Sequence, residues 1–204
     1  GDRVTKGGRE RAHLQGRLTI GTSPAEAVTW VWEHPGKIRL TRPGGRGTIV
    51  FDPDKPHPGN QDETSDGLVE SVSADTAESF FDGLQNQAAL RPLGERFAVS
   101  GKTGFGAFVD VFEYSGEIRA RNRRGRAVKH FMFDSQNRLL SMVSYSRAVG
   151  GRPVGVSTEL SNYQSSDGYA APRRIVRRHG SSVVFQLDVD GIQWAAAAPD
   201  GLFG

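Results

Sequence analysis

The sequence predicts a mainly β domain, one broad antiparallel sheet covered by a single α-helix. Three observations carry that expectation. The 26 glycines and 10 prolines are spread along the chain and cut it into short stretches, as punctuation between many strands does. Apolar and polar residues alternate within many of those stretches, the period of a strand with one buried face. Only one segment, which follows a long acidic loop, shows helical spacing.

Residues 1–12, GDRVTKGGRERA, are charged and glycine-bearing. They are expected to form a flexible N-terminal segment or helix stub ahead of a single domain over 13–204. Strands are expected at His13–Gly21, Val28–His34, Lys37–Thr41 and Thr48–Asp52, with HPGK (34–37) and RPGGRG (42–47) as turns. Residues 53–72, PDKPHPGNQDETSDGLVESV, read as one long loop, which three prolines and five acidic residues keep extended and wet. The helix is expected in SADTAESFFDGLQNQAAL. There Ala77, Phe80, Phe81, Leu84 and Ala88 share one face, Ser73 or Asp75 can cap the start, and Pro92 ends it.

Strands resume at Arg96–Ser100, Ala107–Tyr114, Glu117–Arg121, Ala127–Asp134, Arg138–Ala148, Val154–Gln164, Arg173–Arg178 and Val183–Asp190. The joints YSGE, NRRG, DSQN, GGRP and HGSS are short, which predicts an antiparallel meander. Within it, FDSQNRLLSMVSY (133–145) sets two β-prone runs around the polar turn Ser135–Arg138, a hairpin signature. Phe108, Phe112 and Tyr114 share a face, as do Phe131 and Phe133, and Val183, Phe185, Leu187 and Val189 alternate with Val184, Gln186, Asp188 and Asp190. About eleven or twelve strands are too many for a flat sheet. The sheet must close on itself, or curl around the helix and leave a groove.

Composition narrows the chemistry. The 204 residues suit one domain or at most two, and 26 basic against 23 acidic residues give a net charge of only +3. Cysteine is absent, which excludes disulfides, thiolate catalysis and cysteine-ligated metal sites. No apolar run approaches the ~18 residues of a helical membrane span. A secretory leader is expected to have preceded Gly1.

Motif by motif, catalysis finds no foothold. His13, His34, His57, His130 and His179 lack the paired helical spacing of zinc hydrolases, so no metal site is expected. SGKTGFG (100–106) has the lysine of a phosphate-binding loop, but Arg96 stands where that loop needs glycine, and a strand follows instead of a helix. No Gly-x-Ser-x-Gly elbow occurs. Asp188 and Asp190 share a strand face that reads as wet. No cofactor is expected.

Two stretches read as binding surfaces. In WVWEHPGKIRL (30–40), Trp30 and Trp32 point the same way, and Ile38 and Leu40 can face them across the turn. They form either core packing or the lining of an oily groove. In RARNRRGR (119–126), Arg119, Arg121 and Arg123 alternate along one side, and Arg124 and Arg126 flank the turn. This stretch could meet phosphates or an acidic partner, or keep a strand edge from aggregating. It lacks interleaved aromatics, so nucleic acid is not an expected partner.

Taken in order, three stretches resemble the periplasmic lipoprotein-carrier superfamily, the LolA/LolB-like outer-membrane lipoprotein-sorting proteins. GRLTI…WVWEHPGKIRL is similar to the family's first strand pair. FMFDSQNRLLSMVSY is similar to its F/Y-F-D hairpin. YQSSDGYAAPRRIVRRHGSSVVFQLDV, from Tyr163 through Gly168, Pro172 and Ile175, is similar to its later hairpin. The resemblance spans roughly residues 14–190. It implies an unclosed half-barrel of about eleven antiparallel strands with a helical lid, periplasmic and non-enzymatic, holding acyl chains on its concave face. His34 stands where the carriers often place an arginine before the proline.

The leading expectation is thus a carrier for a lipid or lipoprotein acyl chain, with a membrane-associated protein as delivery partner. Its candidate cavity residues are Trp30, Trp32, Ile38, Leu40, Phe51, Phe80, Phe81, Leu84, Phe108, Phe112, Phe131 and Phe133. Candidate headgroup or partner contacts are His34, Arg119, Arg121, Arg123 and Arg124. The alternatives are a periplasmic sensor or scaffold of the same fold that binds a protein through the 53–72 loop and Arg119–Arg126, and a hydrolase with dispersed residues.

Overall fold

The computed structural model describes residues 11–33, 37–43, 47–52, 67–69, 71–72, 90–99, 106–120, 123–149, 152–166 and 169–195. Among them are thirteen strands: β1 (Arg11–Ile20), β2 (Glu26–Glu33), β3 (Lys37–Thr41), β4 (Thr48–Phe51), β5 (Leu90–Val99), β6 (Gly106–Ala120), β7 (Arg123–Asp134), β8 (Leu140–Val149), β9 (Arg152–Ser161), β10 (Gln164–Ser166), β11 (Tyr169–Ala171), β12 (Arg174–His179) and β13 (Ser182–Ala195). Residues 67–69 and 71–72 are helical and are called α1.

Eleven strands form one sheet in the order β4-β3-β2-β1-β13-β12-β9-β8-β7-β6-β5, and β10 and β11 make a separate ribbon. Every pairing is antiparallel. β4 and β5 remain edges, so the sheet is not closed into a barrel. The mainly β, open, roughly eleven-stranded sheet expected from the sequence is the fold observed.

Several boundaries differ from expectation, each for a physical reason. β1 already opens at Arg11, because Arg11 and Ala12 have partners on both sides, Glu33 and Trp32 in β2 and Ala195 and Trp194 in β13. YSGE is not a turn. Gly116 and Glu117 pair with Ala127 and Arg126, so the β6–β7 ladder runs straight through it. Leu90 and Pro92 belong to strand β5 instead of a helix end. β5 is an edge strand, where a residue without an N–H can be accommodated, and the ladder is irregular between Pro92 and Gly94. The loop expected over 53–72 carries α1 near its end, with Leu68, Val69 and Val72 buried. The amphipathic helix expected over 73–90 falls, up to residue 89, outside the described residues.

The FDSQNRLL hairpin joins β7 to β8 as read. Asp134 Oδ1 accepts from the backbone N–H of Gln136 and of Asn137, both at 2.9 Å. Arg138 closes the turn at φ 61, a left-handed conformation that short turns exploit.

Pairing register assigns the faces, since directly opposed residues point the same way. One face carries Leu14, Leu18, Trp30, Leu40, Phe185 and Leu187, and Val69 and Val72 of α1 join them in a single buried cluster. The other face is tied by ion pairs, Arg174–Asp188 at 2.7 Å and Arg178–Glu159 at 2.8 Å. α1 therefore covers one face, and that face positions the candidate site.

Candidate ligand-binding face

The covered face has two apolar regions. The first is built on β1, β2, β3, β12 and β13. Trp30 packs edge-on against Trp32 and against Phe185, both with ring centroids 5.9 Å apart. Ile38 and Leu40 lie opposite the two indoles in the β2–β3 ladder, and all four expected residues are fully buried beneath α1. Phe51 pairs with Ile38 in the β3–β4 ladder.

The second region is built on β7, β8 and β9. Phe131, Leu140, Val143 and Leu160 are buried, and Leu90, Tyr114, Phe133 and Tyr163 pack against them half-buried. Phe112 meets Phe133 edge-on at 5.7 Å, and Tyr114 meets Phe131 at 6.5 Å. The Tyr163 hydroxyl donates to the Leu140 carbonyl at 2.6 Å, and burial pushes that phenol well above its ordinary range. Farther along the same face Phe108 is 56% exposed and Phe97 61% exposed, edge-on at 5.4 Å near the free β5 edge.

Between the two regions the face turns polar. Thr158 and Arg177 oppose each other in the β9–β12 ladder, and both are 0% exposed. Arg177 donates from Nη1 to Thr158 Oγ1 at 2.8 Å and from Nη2 to Ser71 Oγ of α1. One residue pair farther along, Lys129 and Tyr145 oppose each other across β7–β8, and Tyr145 opposes Val156, which opposes His179. Lys129 Nζ lies 5.3 Å from the Tyr145 ring centroid and Arg177 Cζ 5.6 Å from it. Burial, then the Arg177 and Arg147 charges, hold the His179 imidazole below its ordinary range. Burial and Arg177 likewise lower Arg147.

The remaining expected contacts are placed as follows. Arg119 pairs with Arg124, and Arg123 with Ala120, at the far end of the β6–β7 ladder. His34, Phe80, Phe81, Leu84 and Arg121 lie outside the described residues. The polar band of Lys129, Tyr145, Arg147, Thr158, Arg177 and His179 was not among the expected site residues. Its signal was present in IVRRH, where strand alternation sets Arg177 and His179 on the face of Ile175. Among the described residues, no group of three or more histidines and carboxylates is arranged to hold a metal ion, and no helix is long and apolar enough to cross a membrane.

An open antiparallel sheet with one apolar, helix-covered face defines a class of architecture, and solved structures share it. The chain superposes on a domain from Vibrio parahaemolyticus assigned to outer membrane lipoprotein sorting, with TM-score 0.56, 11% identity, and coverage of 99% of this chain and 94% of that one. It superposes on a DUF1329 family protein from Desulfovibrio piger with TM-score 0.57, 9% identity, and coverage of 100% and 92%. A LolA superfamily protein from Nitrosomonas europaea aligns at TM-score 0.48 and 15% identity over 95% and 89%. No protein-family profile and no curated protein matches the sequence. The chain thus shares the fold of the Vibrio parahaemolyticus domain and the Desulfovibrio piger protein.

Proposed function

We propose that this chain is a periplasmic, non-enzymatic carrier that shelters an acyl chain of a lipid or lipoprotein on its covered face. The observation that carries this reading is the division of that face. α1 packs on the Trp30 region, while Phe112, Phe133 and Tyr114 stay half-buried and Phe108 is exposed farther along β6. An apolar strip that is neither sealed nor fully wet suits a guest chain. Transfer from water gains about 0.8 kcal/mol per methylene, so a twelve-carbon segment gains roughly 10 kcal/mol before ordering costs. The fold shared with a domain assigned to lipoprotein sorting supports the same reading. Carriage needs no covalent chemistry, and a membrane-associated protein would receive the cargo.

The test is organic extraction of natively purified protein followed by mass spectrometry, with a fluorescent fatty acid titrated into the delipidated protein. Acyl species in the extract and saturable binding are expected. Phe112→Ser weakens that binding more than Arg121→Ala does. A blank extract together with no titratable binding overturns carriage, and the reverse ranking of variants favours a protein partner.

A further inference from the structure

The β6–β7 hairpin outruns the sheet. Its ladder continues without a register shift from Val109 and Asp134 to Ala120 and Arg123. β5 pairs with β6 only as far as Tyr114, opposite Leu90. β8 pairs with β7 only as far as Lys129, opposite Tyr145, and then goes on to Val149 beside β9. Among the described residues, the six pairs from Ser115–Val128 to Ala120–Arg123 therefore stand as a two-stranded arm, about 20 Å long at strand rise. Two strands by themselves are marginal in water, so such an arm gains most from a surface to lie on.

Composition says what kind of surface. Residues 115–128 carry five arginines and one carboxylate, Glu117, a net charge of +4 in a chain whose total is +3. The positive excess of the whole chain thus falls on the arm. Register then divides the arm by face. Gly116 with Ala127, Ile118 with Gly125, and Ala120 with Arg123 continue the face of Tyr114 and Lys129. Ser115 with Val128, Glu117 with Arg126, and Arg119 with Arg124 continue the opposite face. The first face is small and apolar up to Arg123, and the second is mostly arginine. Val128, where the arm meets the sheet, is 44% exposed. The physics that lays an amphipathic, arginine-bearing helix between headgroups and acyl chains holds for a ribbon as well. An acidic protein would attract the arginines but offer the apolar face no such gain.

We infer that the β6–β7 arm docks on an anionic lipid surface, with Arg119, Arg124 and Arg126 serving the headgroup phosphates and the face of Ile118 serving the acyl boundary. The inference goes beyond acyl carriage and does not depend on it. The two meet at one point. Phe112 and Tyr114 lie on β6 just before the arm, so docking sets one end of the half-buried strip against the bilayer.

The experiment sediments the full chain with vesicles of phosphatidylcholine and with vesicles of an equal mixture of phosphatidylcholine and phosphatidylglycerol. Binding to the mixed vesicles is expected to be tighter on the order of a hundredfold and to weaken as salt rises. Arg119→Ser/Arg124→Ser/Arg126→Ser should lose that gain, at roughly fivefold per arginine. The chain has no cysteine, so Ile118→Cys accepts a single environment-sensitive fluorophore. Its emission is expected to shift to the blue on mixed vesicles and to stay put with polyglutamate. Equal binding to both vesicle types, or to neither, overturns the inference. Tight binding of polyglutamate with no shift on vesicles overturns it in favour of an acidic protein. A fatty-acid titration of the same wild-type protein keeps this apart from carriage. Vesicle binding without fatty-acid binding sinks carriage alone, and the converse sinks the arm alone. The wild-type comparison of the two vesicle types decides the matter even where a variant fails to fold.

Discussion

Arg177 in β12 and Ser71 in α1 stand 106 residues apart in sequence and meet through a buried guanidinium–hydroxyl hydrogen bond. With Val69 and Val72 packed on the Trp30 region, that bond anchors α1 to the middle of the sheet. Removing an acceptor leaves a buried charged donor short of a partner. Thr158→Val, nearly isosteric, is expected to cost about 1–3 kcal/mol, and Ser71→Ala a similar amount. Because both act on one guanidinium, the double variant should fall short of the sum. Urea denaturation of the three proteins checks this.

Gly16 lies where β1 shifts register against β13. A Cβ at this position would collide with the backbone oxygen of Asp188, which cannot swing away as a side chain could. Gly16→Ala is expected to destabilise by about 1–3 kcal/mol or more, the range of overpacking in rigid surroundings. Gly155 is the control: nothing lies within 4 Å of an added Cβ there. Gly155→Ala should stay within about 0.5 kcal/mol of the parent in the same denaturant titration.

The β7–β8 turn depends on one carboxylate. Asp134 Oδ1 receives two backbone N–H groups, and a lost side-chain-to-backbone cap of this sort costs about 0.5–2 kcal/mol. Asp134→Ala should lower the urea midpoint accordingly, whereas Asp134→Asn retains an acceptor and should recover most of the loss.

Stability should fall in two separate acid windows. His179 and His13 are held below their ordinary 6.5, His179 by burial and then by Arg177 and Arg147, and His13 by burial and then by Arg11. A depressed imidazole lets the unfolded chain take up protons first, so stability is lost as pH drops below about 6.5. Asp188 acts lower. Burial alone would raise its carboxyl, but hydrogen bonds from Arg174 and Gln186 and the charges of Arg174 and Arg17 outweigh it and hold it below 3.8. Its contribution is present above that value and lost beneath it. Urea midpoints between pH 8 and pH 3 should show both steps, and His179→Gln should flatten the upper one alone.

Local chemistry made much of this fold legible in the sequence. Ser135–Arg138 announced a turn, and the alternation of Phe185, Leu187 and Val189 announced a buried face. The oily pairing of Trp30 and Trp32 with Leu40 and Ile38 was readable from the turn between them. What failed was non-local. Pro92 is a strand residue only because β5 ends the sheet, and YSGE stays extended only because β7 runs alongside it. The cationic band was hidden for the same reason. Lys129, Arg147, Arg177 and His179 come from three strands, and no single stretch reveals that their registers bring them to one face.

β1 lies in the interior of the sheet, between β2 and β13, and β13 is the last strand among the described residues. On the ribosome, β1 to β4 emerge with the inner margin of β1 bare until some 160 further residues have been synthesised, the separation of Ile20 from Ser182. Such a margin is a template for wrong partners, and distant pairing is slow. The nascent chain therefore has to be kept apart from its neighbours until β13 has emerged, so a chaperone that holds the early strands is expected to raise yield.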